Sequence, residues 1–365
     1  MSMTTSCYIH IPFCDDICSY CDFCKIYKRS GHVEKYLDAL EQEICQNYQG
    51  EVLKTIYIGG GTPSSLSTDE LERLFQILEC LRKDKKIEYT IECNIESITR
   101  EKLELFLKAG INRISIGIQT VDELSIQKLN RHHSKETVLE TIQLVKEVGF
   151  SNINVDFMYA FPWQTKEMVL NDLQFFLSLD VPHISTYSLI LEEHTVLGNE
   201  KMNPLDEEVE VWMYQTIREQ LSKLGYNHYE VSNFAKPNYE SKHNLVYWNN
   251  EPYYGFGVGA SGYVQQIRYE NTRSLPKYES GKRILESHTV MKREDMENEC
   301  ILGLRKMSGI SKDVFKERFH EEIEQVFPIE QLKRKKLLEE KDGFLFIPED
   351  KIYISNEILI EFLQQ

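Results

Sequence analysis

From residue 6 to about residue 234, short β-type runs alternate with amphipathic runs whose apolar residues recur three and four apart. The strand-like runs are CYIHI from Cys7, TIYIGG from Thr55, EYTIECN from Glu88, RISIGIQ from Arg113, NINVDFMY from Asn152 and HISTYSL from His183. The segments between them, such as VEKYLDALEQEI from Val33, carry the helical period. Thr68-Asp69-Glu70, Thr99 with Lys102, and Ser134 ahead of KETVLETIQLVKEVGF are helix starts, and Gly110 and Gly149 are helix stops. Strands alternating with helices predict an α/β fold of parallel βαβ units joined by right-handed crossovers. Six such units fit either an open doubly wound sheet or an incomplete barrel, and periodicity leaves both open. In either arrangement the polar and glycine-rich motifs, all of which follow strands, place the chemistry at the carboxyl ends of the strands.

The pattern changes after about residue 206. A long helix over 206–224 leads to residues 226–234, then to a glycine- and aromatic-rich stretch ending at Tyr263. From Lys292 the chain predicts short helices and two late β-runs, GFLFIPE and KIYIS, together a small helical domain with a β-wing. The expected division is a core over 1–234, an extension over 235–290 and a C-terminal domain over 291–365. There is no solenoid-type repeat and no low-complexity segment.

Composition adds limits. The 365 residues, 41% hydrophobic and 27% charged, suit one large domain and an appendage. A formal net charge of −16 argues against a nucleic-acid partner. The short basic clusters at 82–86 and 333–336 read as solvated helix ends. Residues 1–7 lack a basic start and an apolar run, and no apolar stretch approaches a membrane span, so a cytoplasmic location is expected. In that compartment nine cysteines point to metal or redox chemistry rather than disulfides. Cys7, Cys45, Cys80, Cys93 and Cys300 are scattered and read as small buried hydrophobes.

The other four stand together in Cys14-Asp-Asp-Ile-Cys18-Ser-Tyr-Cys21-Asp-Phe-Cys24, in the loop after the first strand. Thiolates are soft ligands suited to iron–sulfur clusters or zinc. Cysteines at x3 and x2 spacing hold three corners of a cubane and leave one iron open. A closed zinc site or electron-transfer cluster needs a fourth protein ligand, for which Cys24 and His10 are the local candidates. Zinc sites usually combine two separated CxxC pairs, and this chain has no second pair. Gly59-Gly60-Gly61-Thr62-Pro63 closes the second strand, where bare glycines let backbone approach a ligand. Glu92 closes the third, at a position that favours function over a plain surface acid.

C-x3-C-x2-C in a βα loop, with aromatic Tyr20 before the third cysteine, resembles the defining motif of radical S-adenosylmethionine (SAM) proteins. The resemblance implies a [4Fe–4S] cluster on Cys14, Cys18 and Cys21, with SAM on the open iron and a 5′-deoxyadenosyl radical formed on reduction. By the same resemblance the GGGTP segment receives the amino group of SAM and Glu92 its ribose. Further segments, YIHIPFC, IGGGTPSSL, RISIGIQ, LNRHH, NVDFMYAFP and HNLVYW, are similar over essentially the whole chain to the coproporphyrinogen dehydrogenase-like branch. That branch comprises oxygen-independent coproporphyrinogen III oxidases and HemW-type haem chaperones. The resemblance implies a partial (β/α)6 TIM-type barrel and SAM contacts at Tyr8, Gly60, Gly61, Thr62, Glu92, Gln119, Arg131 and Asp156.

Within the branch, His243-Asn244-Leu245-Val246-Tyr247-Trp248 looks like the HNxxYW element of the chaperones, which implies His243 as a haem ligand. The other reading of those residues is a packed corner with satisfied hydrogen bonds. The oxidases carry a long arm before the cluster, whereas Cys14 here lies near the start, and their extra cysteine follows the third ligand by two positions where Cys24 follows Cys21 by three. Cys24 is therefore expected to be a non-ligand thiol. Ala160-Phe161 with Trp163, Ile95 and Ser261 depart from residues common among relatives. The expected function is haem binding and delivery to a haem-requiring protein, with an electron donor such as a flavodoxin or ferredoxin, and a homodimer by analogy with the branch. The alternative is oxidative decarboxylation of coproporphyrinogen III to protoporphyrinogen IX. A zinc-stabilised binding module is the third reading.

Overall fold

The computed structural model describes residues 3–363. Twelve elements form its core: β1 (Ser6–Ile11), α1 (His32–Asn47), β2 (Leu53–Gly60), α2 (Thr68–Leu78), β3 (Lys83–Asn94), α3 (Arg100–Lys108), β4 (Arg113–Gln119), α4 (Lys135–Val148), β5 (Asn152–Tyr159), α5 (Lys166–Ser178), β6 (His183–Ser188) and α6 (Glu207–Lys223). The six strands lie side by side in chain order and parallel throughout. Their carboxyl ends therefore share one rim of the sheet.

The strands' two-residue period accounts for the layering. Along β4 every residue is buried, with Ile114, Ile116 and Ile118 on one face and Arg113, Ser115, Gly117 and Gln119 on the other. The isoleucines join a continuous apolar core with Leu103 and Phe106 of α3 and Val138 and Ile142 of α4. Each fully buried Ile contributes about 1.5–3 kcal/mol. The opposite face is polar in every central strand: Tyr57, Glu92, Ser115, Asp156 and Ser185 all turn into the same interior space. The sheet is thus aliphatic towards the helices and polar towards its interior space.

The helix signals act as expected. Ser67 and Glu70 form a reciprocal capping box one residue ahead of α2, Thr99 caps α3, Ser134 caps α4, and Gly149 ends α4 with φ of +118°. The basic run at 82–86 departs from expectation: from Lys83 it is the solvated start of β3 rather than a helix end.

Beyond α6, the antiparallel hairpin β7 (Asn227–Glu230) and β8 (Asn233–Ala235) extends the sheet past β6. Helix α7 (Lys242–Trp248) follows, and β9 (Tyr254–Phe256) pairs parallel with β1 on the opposite edge. The sheet order is β9-β1-β2-β3-β4-β5-β6-β8-β7, an incomplete barrel with two free ends. A three-stranded meander (Ser261–Val264, Ile267–Asn271, Ile284–Thr289) leads to the helical C-terminal region and its small wing, in which Phe344–Phe346 pairs with Ile310–Ser311 and Glu339–Lys341. KIYIS is not the second β-run it was expected to be. It lies in a 3-10 helix (Glu349–Ile354) that runs into Ser355–Leu359, because Ile352, Ile358, Leu359 and Phe362 bury at helical spacing. No helix among the described residues is long and apolar enough to cross a membrane.

Candidate functional site

The loop after β1 is clipped at its base. Phe13–Cys14 pairs in parallel with Ile26–Tyr27, the Ile26 N–H donates to Pro12 O at 2.8 Å, and the Lys28 N–H donates to Cys14 O at 2.8 Å. Its tip is tied to the segment after β4: Ser19 Oγ donates to Lys128 O at 2.6 Å, and Asn130 Nδ2 donates to Ile17 O at 2.9 Å. The glycine run of β2 allows the base of the loop to settle. A Cβ on Gly61 would lie 2.7 Å from the Pro12 carbonyl carbon, and one on Gly60 (φ +118°) would lie 2.6 Å from the His10 ring.

These contacts bring Cys14, Cys18 and Cys21 around one cavity of about 120 Å³, walled by Gly60, Gly61, Thr62 and Glu92 and by Gln119, Arg131 and Asp156. It continues into a chamber of about 360 Å³ that shares Glu92, Ser115, Gln119 and Asp156 and reaches Arg113, Tyr187 and Ile190. The space opens at the carboxyl ends of the strands, as the fold requires.

The thiols are held in a defined field. Thr62 Oγ1 donates to Cys14 Sγ at 3.6 Å, and Arg131 Nη1 donates to Cys18 Sγ at 3.5 Å. Burial pushes the Cys14 thiol up to about 12 and raises Cys21 as well. Left alone these thiols stay protonated, and a bound cation is what draws the proton off. Among the described residues no three His, Cys, Asp or Glu side chains converge on a single-ion position. Three soft donors spaced around a cavity fit the faces of a multi-iron cluster, and one wall is left to a further ligand.

Glu92 sits at the centre of the polar interior. Its side chain accepts from Tyr57 Oη at 2.7 Å and from the Gly60 N–H at 3.0 Å. Desolvation inside the barrel nevertheless holds its carboxyl up at about 7, with the nearby Asp156 raising it further. Asp156 is raised by the same desolvation and accepts from Asn154 Nδ2 at 2.8 Å. Gln119 ends β4 at φ +74°, where a register shift aims its side chain into the cavity. Ala160 sits at φ +62°, a left-handed conformation that glycine adopts more readily than alanine.

Of the residues expected around SAM, Gly60, Gly61, Thr62, Glu92, Gln119, Arg131 and Asp156 line the thiol cavity. Tyr8 is not among its lining residues. Its hydroxyl lies 3.0 Å from His10 Nδ1, and His10 Nε2 in turn bonds the Cys24 carbonyl at 2.7 Å. Cys24 is partly buried and does not line the cavity, its Sγ lying 3.8 Å from Arg273 O and its side chain packed on Gly259.

His243 is packed in the interior of the sheet. The ring is 1% exposed, Nδ1 lies 2.8 Å from Thr55 Oγ1, Nε2 lies 2.8 Å from Tyr247 Oη, and Tyr57 stacks on it at 5.2 Å. Burial lowers its pKa to about 3. Both ring nitrogens are within hydrogen-bond distance of a hydroxyl, the contacts of a packed corner.

Several residues that hold the site are not marked out by the motifs. Asn94 joins Arg131 (3.1 Å) to Thr62 (3.2 Å), and Glu96 pairs with Arg131 and His133. Arg113, at the bottom of the larger chamber, is 2% exposed. A charged residue opening a run that is otherwise wholly buried was its signal in RISIGIQ.

Comparison with known proteins accords with this geometry. The family model described as the radical SAM superfamily matches residues 8–176, and that of the HemN C-terminal domain matches residues 290–350. A haem chaperone HemW of Lactococcus lactis subsp. lactis is 41% identical, the alignment covering 98% of this chain and 97% of that protein. The protein of the same name from Bacillus subtilis is 38% identical over 98% of this chain and 99% of its own. The one from Escherichia coli is 32% identical over 88% and 90%. Among solved structures, coproporphyrinogen III oxidase (HemN) from E. coli, described as a radical SAM enzyme, superposes with a TM-score of 0.87 at 22% identity, covering 98% of this chain and 90% of that one. At that identity the match establishes the shared fold.

Proposed function

Because this chain belongs to the radical SAM superfamily and, within it, to the family of HemW haem chaperones, we propose that it binds haem beside a SAM-holding [4Fe–4S] cluster and passes the haem to a haem-requiring protein. The observation that carries this reading is end-to-end similarity to proteins named haem chaperones, in a chain whose three thiols line one cavity.

In this proposal Cys14, Cys18 and Cys21 ligate the cluster, and Cys24 does not. The bound cluster and SAM together supply one-electron chemistry when a reductant such as a flavodoxin or ferredoxin is present. The chain's own residues position and shield. Thr62 and Arg131 stabilise negative charge on the thiolates of Cys14 and Cys18. Gly60 and Gly61 clear the backbone wall, Glu92 offers hydrogen-bonding oxygens at the cavity's centre, and Gln119 and Asp156 close the far side. The loop tip, stapled to 128–130, holds the three cysteines in place around the cavity.

The test is an anaerobic product assay. Reconstituted, reduced protein is incubated with SAM and coproporphyrinogen III, and porphyrins and 5′-deoxyadenosine are quantified. Absence of protoporphyrinogen is the expected result. Protoporphyrinogen formed in proportion to 5′-deoxyadenosine would make the protein an oxidase and end the chaperone reading.

A further inference from the structure

The larger chamber contains a cation that the thiol site does not use. Arg113 opens β4, is 2% exposed and lines the chamber of about 360 Å³. Its Nε is buried with no hydrogen-bond partner. The two acids that share the space are engaged elsewhere, Glu92 by Tyr57 and the Gly60 N–H, and Asp156 by Asn154. Both acids act on Arg113 through space, yet no carboxylate among the described residues is in ion-pair contact with it; a buried guanidinium without such a contact is costly, and its planar fork suits a carboxylate.

The mouth of the chamber has the opposite character. Phe23 and Ile190 are 69% and 68% exposed, with Met158 and Leu189 beside them along the lining. Large apolar side chains left in water around an opening mark a surface that a ligand covers. The chamber thus runs from an apolar rim to a cationic floor.

We infer that Arg113 receives a carboxylate of the ligand that enters this chamber, the ligand's flat apolar body resting at the rim against Phe23 and Ile190. On the function proposed above, from which this inference proceeds, the ligand is haem and the carboxylate is a propionate. In this arrangement one carboxylate-bearing edge of the macrocycle enters the chamber of about 360 Å³ and the rest stays at the rim. The face bearing the iron then stays accessible to an acceptor protein.

The test compares haem with haem dimethyl ester, whose carboxylates are masked, by equilibrium titration of cluster-reconstituted protein. The native protein is expected to bind haem about tenfold or more tightly than the ester, a charge-assisted hydrogen bond's worth. Arg113→Gln should bind the acid and the ester alike, and Arg113→Lys should keep part of the preference. Ile190→Asp, at an exposed position, should weaken both ligands to a similar degree. Equal affinity of the native protein for haem and ester would overturn the inference while leaving haem binding in place, and this arm requires no variant to fold. A preference that survives in Arg113→Gln would overturn it equally. Failure of the native protein to bind haem at all would overturn the proposed function and this inference together.

Discussion

Arg131 and Cys18 lie 113 positions apart in sequence, yet the guanidinium Nη1 reaches the thiol sulfur at 3.5 Å while donating to Asn94 Oδ1 at 3.1 Å. Nη2 is tied to the Gly117 carbonyl, and Glu96 lies 3.7 Å away. A buried cation is fixed here against both the cluster loop and the end of β4, and the thiol and Glu96 hold its pKa above the ordinary value against the cost of burial.

Replacing Arg131 with Met is expected to weaken SAM binding about tenfold or more, since a charged hydrogen bond contributes about 1.5–3 kcal/mol, while iron content is largely kept because the thiols remain. Equilibrium dialysis with SAM beside iron analysis checks both halves. Unchanged SAM affinity would remove Arg131 from the ligand wall.

The four clustered cysteines should separate cleanly. Cys18→Ala is expected to abolish the iron–sulfur absorbance near ~400 nm, whereas Cys24→Ala leaves most of it, because Cys24 Sγ turns towards Arg273 O and not towards the cavity. Ultraviolet–visible spectra after anaerobic reconstitution decide. Loss of the chromophore in Cys24→Ala would make the site a four-thiolate cluster with no open iron.

His243→Gln should lower thermal stability without changing haem affinity by more than about twofold. The ring's partners, Thr55 and Tyr247, lie in the interior, and unpairing buried groups costs about 1–3 kcal/mol. Thermal unfolding and haem titration are run on the same preparation. Weaker haem binding at unchanged stability would mean that the ring leaves these partners to reach the iron.

Much of this was legible in the chain, and the gaps have physical causes. RISIGIQ and NINVDFMY became strands with the limits that their β-branched runs suggest, because both are covered on their aliphatic face. KIYIS failed because four apolar residues placed between 352 and 362 serve a helix better than a strand in that corner. The thiol loop and the glycine run were visible because their chemistry is local. Asn94 and Glu96 were not, because each acquires its role only when the segments that follow β3 and β4 stand side by side. His243 shows the limit of motif reading: a histidine between tyrosines serves a ligand or a packed corner equally well until its two nitrogens are traced.

Glu230 gives the fold a pH dependence. It is 0% exposed, and both carboxyl oxygens lack a hydrogen-bond partner, with Asn233 and the Trp248 indole nearby but not closing one. Burial lifts its pKa from 4.5 to about 7. A raised folded-state pKa means that the folded chain binds the proton more tightly than the unfolded chain. The stabilisation is therefore full below pH ~4.5 and is lost as pH rises through ~7, on the order of 3 kcal/mol. Glu230→Gln should flatten this slope and raise stability at pH 8. Denaturant unfolding of both proteins from pH 5 to 8 measures it, and parallel slopes would show that Glu230 does not titrate in that window.

The central claim is that the chain is a haem carrier built around a SAM site, and the most direct measurement is an anaerobic haem titration of the cluster-reconstituted protein followed by difference absorbance in the Soret region. The expected result is saturation at one haem per chain with the iron–sulfur signal intact. Absorbance that rises without saturation, or haem that binds only as the cluster is lost, would contradict the account.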